Sequence, residues 1–161
     1  MVFKNKLQFV LFEQQVIDSI VIKMPESKKI YVREVRLPSK ADEDQDIDWI
    51  IESLSLSTNK GSDNTASKVF KELIGAAREQ KPVSTTQISQ RVGVTRGTVL
   101  FHLQKFSQCG LVRSSGRTYT LRHPSLEETV DSMLRDAEEL FKRMRRVASE
   151  LDAEMGFEKR W

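Results

Sequence analysis

The sequence predicts an α+β protein with three successive parts: a β-rich start, a central set of short helices with a hairpin, and one long terminal helix. β-branched residues cluster between residues 6 and 37, apolar residues recur at helical spacing from Ala66 onward, and a heptad-like repeat begins at Leu126. With 161 residues, the chain is long enough for one modest core, or for one small domain with extensions.

Basic residues are concentrated in the middle of the chain. Residues 65–124 contain 10 Lys and Arg against 2 Asp and Glu, whereas residues 1–64 contain 9 against 11 and residues 125–161 contain 7 against 10. A basic block between two acidic flanks suits a partner with a phosphate backbone. The alternative is that these charges only keep the surface soluble.

The composition also indicates the cellular compartment of the protein. No apolar run approaches the roughly 18 residues of a membrane span, and the start of the chain has no signal-peptide cleavage site. The single cysteine, Cys109, excludes an intramolecular disulfide. We therefore expect a cytoplasmic protein that does not associate with a membrane.

The N-terminal region reads mainly as strands. Residues 18–24 and 28–37 predict a hairpin or a three-strand meander, although residues 7–21 also fit a helical face. An acidic connector and a short helix are predicted at residues 39–46 and 46–56, and the stretch at residues 57–65 has the composition of a linker.

The central region predicts three helices and a hairpin. The stretch SKVFKELIGAAREQ forms an amphipathic helix that ends near Pro82. Ser84 or Thr85 caps a second helix that closes at Gly93, and Thr95 caps a third that ends at Gly110. The segment LVRSSGRTYTLR then folds back as a hairpin. Two helices joined by a short turn and followed by a hairpin predict a winged helix-turn-helix.

The third of these helices has two different faces. Val99, Leu103 and Phe106 recur at i, i+4 and i+7, so we expect them in the core. The other face is free to meet a partner, and a helix N-terminus attracts phosphate while Arg and Gln side chains pair with base edges. A merely solvated face is the alternative. This face carries Arg96, Gly97, Thr98, Gln104, Lys105 and Gln108.

Three apolar or aromatic residues on this helix are harder to assign. Phe101 points away from the core and fits contact with DNA, with a protein surface or with another element of the chain. Leu100 beside it strengthens the protein-surface alternative. His102 is predicted to be a hydrogen-bonded structural histidine rather than a ligand.

The hairpin adds a second basic element. Arg113 and Arg117 flank the small residues SSG, which suits contact with phosphate or with the minor groove, although a surface hairpin with arginines of no special role is the alternative. Tyr119 and Leu121 are expected on the core side.

The segment TTQISQRVGVTRGTVLFHLQKFSQCGLVRSSGRTYTLR resembles the winged-helix repressors of the ArsR-like class. The resemblance covers about 60 residues and implies that the first turns of the third helix contact DNA. The matching positions are Thr95, Thr98, Val99, His102, Leu103, Gly110, Leu111 and Val112.

A coiled-coil seam is predicted in the terminal helix, because its apolar residues alternate at spacings of four and three. A homodimer is the simplest partner arrangement, and packing across the N-terminal strands is the alternative. The predicted dimerisation residues are Leu126, Val130, Met133, Ala137, Leu140, Phe141, Met144, Val147 and Leu151.

Catalytic and metal-binding signatures are not found in the sequence. Cys109 is alone, the two histidines lack ligand spacing, and no phosphate-binding loop or nucleophile elbow is present. We therefore expect no enzyme activity, no metal and no cofactor. A buried Cys109 is favoured over a redox-sensitive thiol.

These observations predict a homodimeric, sequence-specific regulator that binds double-stranded DNA, most often a repressor in such families. The alternative is a winged-helix protein-interaction module. The predicted DNA-binding residues are Thr86, Gln87, Thr95, Arg96, Gly97, Thr98, Phe101, Gln104, Lys105, Arg113, Ser115 and Arg117. The predicted parts are an N-terminal β-rich domain with an effector, partner or dimer role, a linker, the winged helix and the dimerisation helix, at residues 1–58, 59–65, 66–124 and 125–157.

Overall fold

The structure is a computed structural model that describes residues 30–39, 42–57 and 64–157. The strand predicted at residues 18–24 lies outside these ranges. The described elements are α1 (Glu43–Ser53), α2 (Thr65–Arg78), β1 (Val83–Ser84), α3 (Thr85–Val92), α4 (Arg96–Cys109), β2 (Val112–Ser115), β3 (Thr118–Leu121) and α5 (Leu126–Glu154).

The acidic segment before the first helix is helical itself, so the prediction of a connector up to residue 46 is wrong from Glu43 onward. Asp42 caps α1, and its side chain accepts a hydrogen bond from the N–H of Asp44. Acidic side chains in the first turn are favourable because the helix dipole is positive there. The predicted helix therefore exists and begins earlier than the sequence suggested.

The strand predicted at residues 28–37 is also wrong in its described part, which has no strand. This segment lies along α1. The N–H of Arg33 donates to the Ser53 carbonyl at 2.8 Å, and the Trp49 indole donates to the Val35 carbonyl at 3.1 Å. A helix end and an indole thus bind the backbone of this segment, and no strand among the described residues pairs with it.

The core lies where α1, α2, α3 and α4 meet. Phe70 and Phe106 pack edge to face with ring centroids 5.5 Å apart, and Val99 and Leu103 are fully buried beside them. The predicted core face of α4 is thereby confirmed. Ile51 of α1 belongs to the same buried cluster, so the described N-terminal helix shares the core of the central helices. The division of the chain into domains stays a prediction.

The predicted ends of α3 and α4 are confirmed. Ser84 forms a capping box with Gln87: Ser84 Oγ accepts from the Gln87 N–H, and the Ser84 N–H donates to Gln87 Oε1 at 2.8 Å. Thr95 caps α4. Gly93 and Gly110 end the two helices with φ of 78° and 88°, a left-handed conformation that costs glycine nothing and other residues about 1 kcal/mol or more.

The predicted hairpin is confirmed as β2 and β3, and a third strand joins it. The order is β1–β3–β2, all antiparallel, with Val83 opposite Tyr119 and Val112 opposite Leu121. β1 was not predicted, since two residues carry no alternation signal. It ties the start of α3 to the hairpin, and the described residues form the arrangement of a winged helix.

The terminal helix α5 is fixed to the sheet at its beginning. Arg122, which follows β3, donates to both carboxylate oxygens of Asp136 at 2.5 and 3.3 Å. The N–H of His123 donates to Thr129 Oγ1 at 3.2 Å, and Thr129 is fully buried. From residue 138 onward every described side chain is exposed. With 29 residues, α5 extends roughly 43 Å and projects beyond the winged helix.

Cys109 is expected to resist thiol reagents while the protein is folded. It is buried at the end of α4, where desolvation raises the pKa of its thiol to about 11, and Sγ lies 3.2 Å from the Phe106 carbonyl. At pH 8 the thiol is therefore protonated and inaccessible. Labelling with Ellman's reagent should proceed slowly on the native protein and rapidly in urea. Rapid native labelling would contradict the burial.

Candidate nucleic-acid interface

A groove of about 520 Å³ lies between the start of α4 and the tip of the hairpin. Three elements meet there: the first turn of α3, the first two turns of α4 and the turn between β2 and β3. The lining residues are Ser84, Thr85, Thr86, Arg96, Gly97, Leu100, Gly116, Arg117 and Tyr119. The fold therefore brings the two basic elements singled out in the sequence, the third helix and the hairpin, to one surface.

Among the described residues, the cations at this surface have no carboxylate partner. Arg96 and Arg117 line the groove, Arg113 is exposed on β2, and within the described ranges none of the three forms a salt bridge. By contrast, Arg91 on the far end of α3 pairs with Glu72 at 3.1 Å. No carboxylate is among the described residues that line the groove. The groove is thus a positive surface, suited to an anionic partner.

Some of the predicted site residues cap the N-termini of α3 and α4. Thr95 Oγ1 accepts from the Thr98 N–H at 3.1 Å and lies 2.9 Å from Thr98 Oγ1. Gln87 Oε1 is similarly engaged with Ser84. The N–H groups of Arg96 and Gly97 lie in the first turn of α4, where no carbonyl of the helix can accept from them. Such free N–H groups attract phosphate.

Phe101 and Leu100 form an exposed apolar pair on α4. Phe101 is 46% exposed, and Leu100 is 39% exposed. Lys105 Nζ lies 4.5 Å from the centroid of the Phe101 ring, a cation–π arrangement. The apolar pair therefore sits among cations, on the face of α4 that the sequence assigns to a partner.

His102 was predicted to be a hydrogen-bonded structural histidine, and the structure agrees only in part. It is buried between the rings of Phe101 and Phe106, and its Nδ1 has no hydrogen-bond partner within the described residues, so the expected hydrogen bond is wrong at this atom. Burial, and to a lesser extent the charge of Lys105, lowers the pKa of the imidazole and so favours its neutral form.

The remaining predicted residues divide between the groove and its surroundings. Thr86 lines the groove, whereas Gln104 and Ser115 are exposed outside its lining. Five lining residues were not predicted as contacts: Ser84, Thr85, Leu100, Gly116 and Tyr119. Of these, Leu100 was assigned only to a protein surface and Tyr119 to the core. Tyr119 packs against the core and also lines the groove. Tyr119 can do both because β3 is the central strand of the sheet, a position that only the strand order reveals.

The predicted dimerisation residues also divide. Met133 is buried in the core of this chain, and Leu126 and Ala137 are half-buried. The others form an exposed stripe on α5: Val130, Leu140, Phe141, Met144, Val147 and Leu151. Leu134 and Met155 lie beside this stripe and are also exposed.

Comparison with known proteins adds little to this description. No family model matches the chain, and no curated protein matches it. Among solved structures, it is similar to wild-type Lactococcus lactis ZitR, at 15% identity and a TM-score of 0.33, over 97% of this chain and 96% of that one. The winged helix therefore rests on the elements described above, and the ArsR-like resemblance stays a prediction.

Neither a membrane-spanning helix nor a metal-binding cluster occurs within residues 30–39, 42–57 and 64–157. None of the helices there has the length and apolar character needed to cross a membrane. Nor do three or more His, Cys, Asp or Glu side chains in those ranges come together as a group able to hold a metal ion.

Proposed function

We propose that the protein is a regulator of transcription that binds double-stranded DNA as a homodimer, with α4 in the major groove and the β2–β3 hairpin on the backbone or in the minor groove. One observation carries this proposal. Arg96 and Arg117, from different elements, line the same groove without a carboxylate among its described lining residues.

The chemistry of the groove supports duplex DNA. The major groove is about 12 Å wide and admits one helix, and an α4 inserted there would bring Arg96 and Gln104 to base edges. Arg117 at the hairpin tip then reaches the adjacent backbone, where a guanidinium binds phosphate in a bidentate manner. Sequence would be read by α4, and the hairpin would add affinity and register.

The exposed stripe on α5 supports the homodimer. A helix of about 43 Å with a continuous apolar face needs a partner helix, and a second copy supplies one with the same repeat. Two copies would place two α4 helices to read half-sites about 34 Å apart. The role of repressor follows only from the ArsR-like resemblance, and the absence of enzymatic activity is part of the same proposal.

The arginines of the groove provide the test. With a duplex selected from random DNA, the double variant Arg96→Ala and Arg117→Ala is expected to bind at least about tenfold more weakly, because two charge-assisted contacts are lost. The slope of log K against log salt should become shallower by about one to two, since fewer counterions are released. Fluorescence anisotropy between 50 and 300 mM salt measures both.

The double variant Arg135→Ala and Lys142→Ala is the matched control, because it also removes two cations. Both residues are exposed on α5 and lie outside the groove, so their removal should leave the affinity and the slope nearly unchanged. A selected consensus with two-fold symmetry would support the dimer at the same time. Equal losses in the groove variant and the control would contradict the assignment of the groove.

A second candidate function is favoured by Leu100 and Phe101. Exposed adjacent apolar side chains are typical of protein interfaces, so a winged-helix module that binds another protein is the alternative. DNA binding that is absent, or that does not respond to salt, would favour it.

A further inference from the structure

The partner-facing surface of α4 combines cations with an unusually apolar centre. Going along the helix, Arg96 and Gly97 are followed by Leu100 and Phe101, and then by Gln104 and Lys105. Leu100 lines the groove together with Arg96 and Arg117, and Phe101 is exposed beside it. Arg, Gln and Lys have an evident use against phosphates and polar base edges, whereas the two apolar side chains do not.

The ring of Phe101 is held in place on this surface. Lys105 Nζ lies 4.5 Å from its centroid, and the imidazole of His102 packs against it edge to face with centroids 5.3 Å apart. His102 is itself buried. A ring held between a cation and a buried side chain loses little conformational freedom on binding, so its contact surface is organised before the partner arrives.

Base edges in the major groove present one apolar group, the C5-methyl of thymine. Resting on the function proposed above, we infer that Leu100 and Phe101 are specificity-determining residues, which select thymine by packing on its methyl group. The same helix turns carry Arg96 and Gln104, so polar and apolar readout would act on neighbouring base pairs.

The charges around the pair favour DNA over a protein as the occupant of this surface. A protein that covered Leu100 and Phe101 would also approach Arg96, Arg117 and Lys105, and it would need carboxylates to offset their desolvation. Duplex DNA supplies phosphates for these cations and methyl groups for the apolar pair in one ligand. Duplex DNA is therefore the partner that fits this surface.

Replacement of thymine by deoxyuridine in the selected duplex tests the inference with the unaltered protein. Deoxyuridine keeps the Watson–Crick pairing and removes only the methyl group. Each contacted methyl that is removed should weaken binding about fourfold, the value of one buried methyl-sized group. Single replacements along both strands should locate the sensitive thymines within each half-site, and replacements outside the half-sites should have no effect.

A variant then assigns the effect to the residue. In Phe101→Ala, the sensitive positions should lose most of their preference for thymine over deoxyuridine, while the slope against salt stays as in the unaltered protein. Phe157→Ala, the same change at an exposed site beyond the end of α5, should keep the full thymine preference.

The outcomes separate this inference from the proposed function. Salt-dependent binding with no sensitivity to deoxyuridine would overturn the thymine readout and leave the DNA-binding function standing. Thymine preference that persists in Phe101→Ala and in Leu100→Ala would overturn the assignment to these residues. Absence of duplex binding would overturn both proposals together.

Discussion

Replacement of Leu140 and Val147 by glutamate is expected to convert the protein to a monomer and to lower its affinity for a two-half-site duplex at least 100-fold. Both residues lie on the stripe of α5, and they are 52% and 57% exposed in the single chain. In a dimer, the new carboxylates would be desolvated and would face their equivalents in the second copy. A monomer loses the gain of 10²–10⁴ that simultaneous binding of two half-sites provides.

Sedimentation equilibrium and anisotropy would measure the two consequences separately. The matched control is Arg135→Gln with Lys142→Gln, which lowers the net charge by the same amount on exposed residues outside the stripe. The control should remain dimeric and should lose far less affinity. If the glutamate variant also stayed dimeric, the stripe would not be the dimer interface.

The sequence predicted the central part of the fold well, because the signals there are local. Ser84 and Thr95 cap their helices through contacts three residues along the chain, and Gly93 and Gly110 end them through their own backbone angles. The repeat of Val99, Leu103 and Phe106 fixes the buried face of α4 by helix geometry alone. Such features need no knowledge of the rest of the chain.

The parts that were not predicted depend on contacts between distant residues. The segment from residue 30 to 37 has a β-rich composition, yet α1 and Trp49 bind its backbone. β1 exists only because Val83 meets Tyr119.

As with the fold, some residues of the candidate site could be recognised from local sequence, and others only from tertiary packing. Arg96 and Arg117 were recognised from their local context as basic residues on a helix start and on a hairpin. That they face one groove, and that Leu100 and Tyr119 join them there, depends on how α3, α4 and the sheet pack. A pattern along the chain identifies which residues suit a partner, whereas tertiary packing decides which of them act together.

The two phenylalanines of α4 should separate stability from recognition. Phe106→Ala is expected to lower the free energy of unfolding by about 3–5 kcal/mol, because it removes a fully buried ring and its edge-to-face contact with Phe70 at 5.5 Å. Since small proteins are stable by about 5–15 kcal/mol, this loss is a large fraction of the total stability. Phe101→Ala should cost about 1 kcal/mol or less, the cation–π contact with Lys105 being its main loss.

Urea denaturation gives both free energies, and anisotropy at a temperature where Phe106→Ala is still folded gives the affinities. For DNA affinity, the larger loss should come from Phe101→Ala, which is the reverse of the order for stability. The reason is that Phe101 would contact the duplex, whereas Phe106 only holds α4 in place. If Phe106→Ala lost thymine preference while folded, or Phe101→Ala destabilised the protein as strongly as Phe106→Ala, the two faces of α4 would not be divided between core and partner. A reversed order would show that this helix is anchored by one aromatic side chain and reads its ligand with the other.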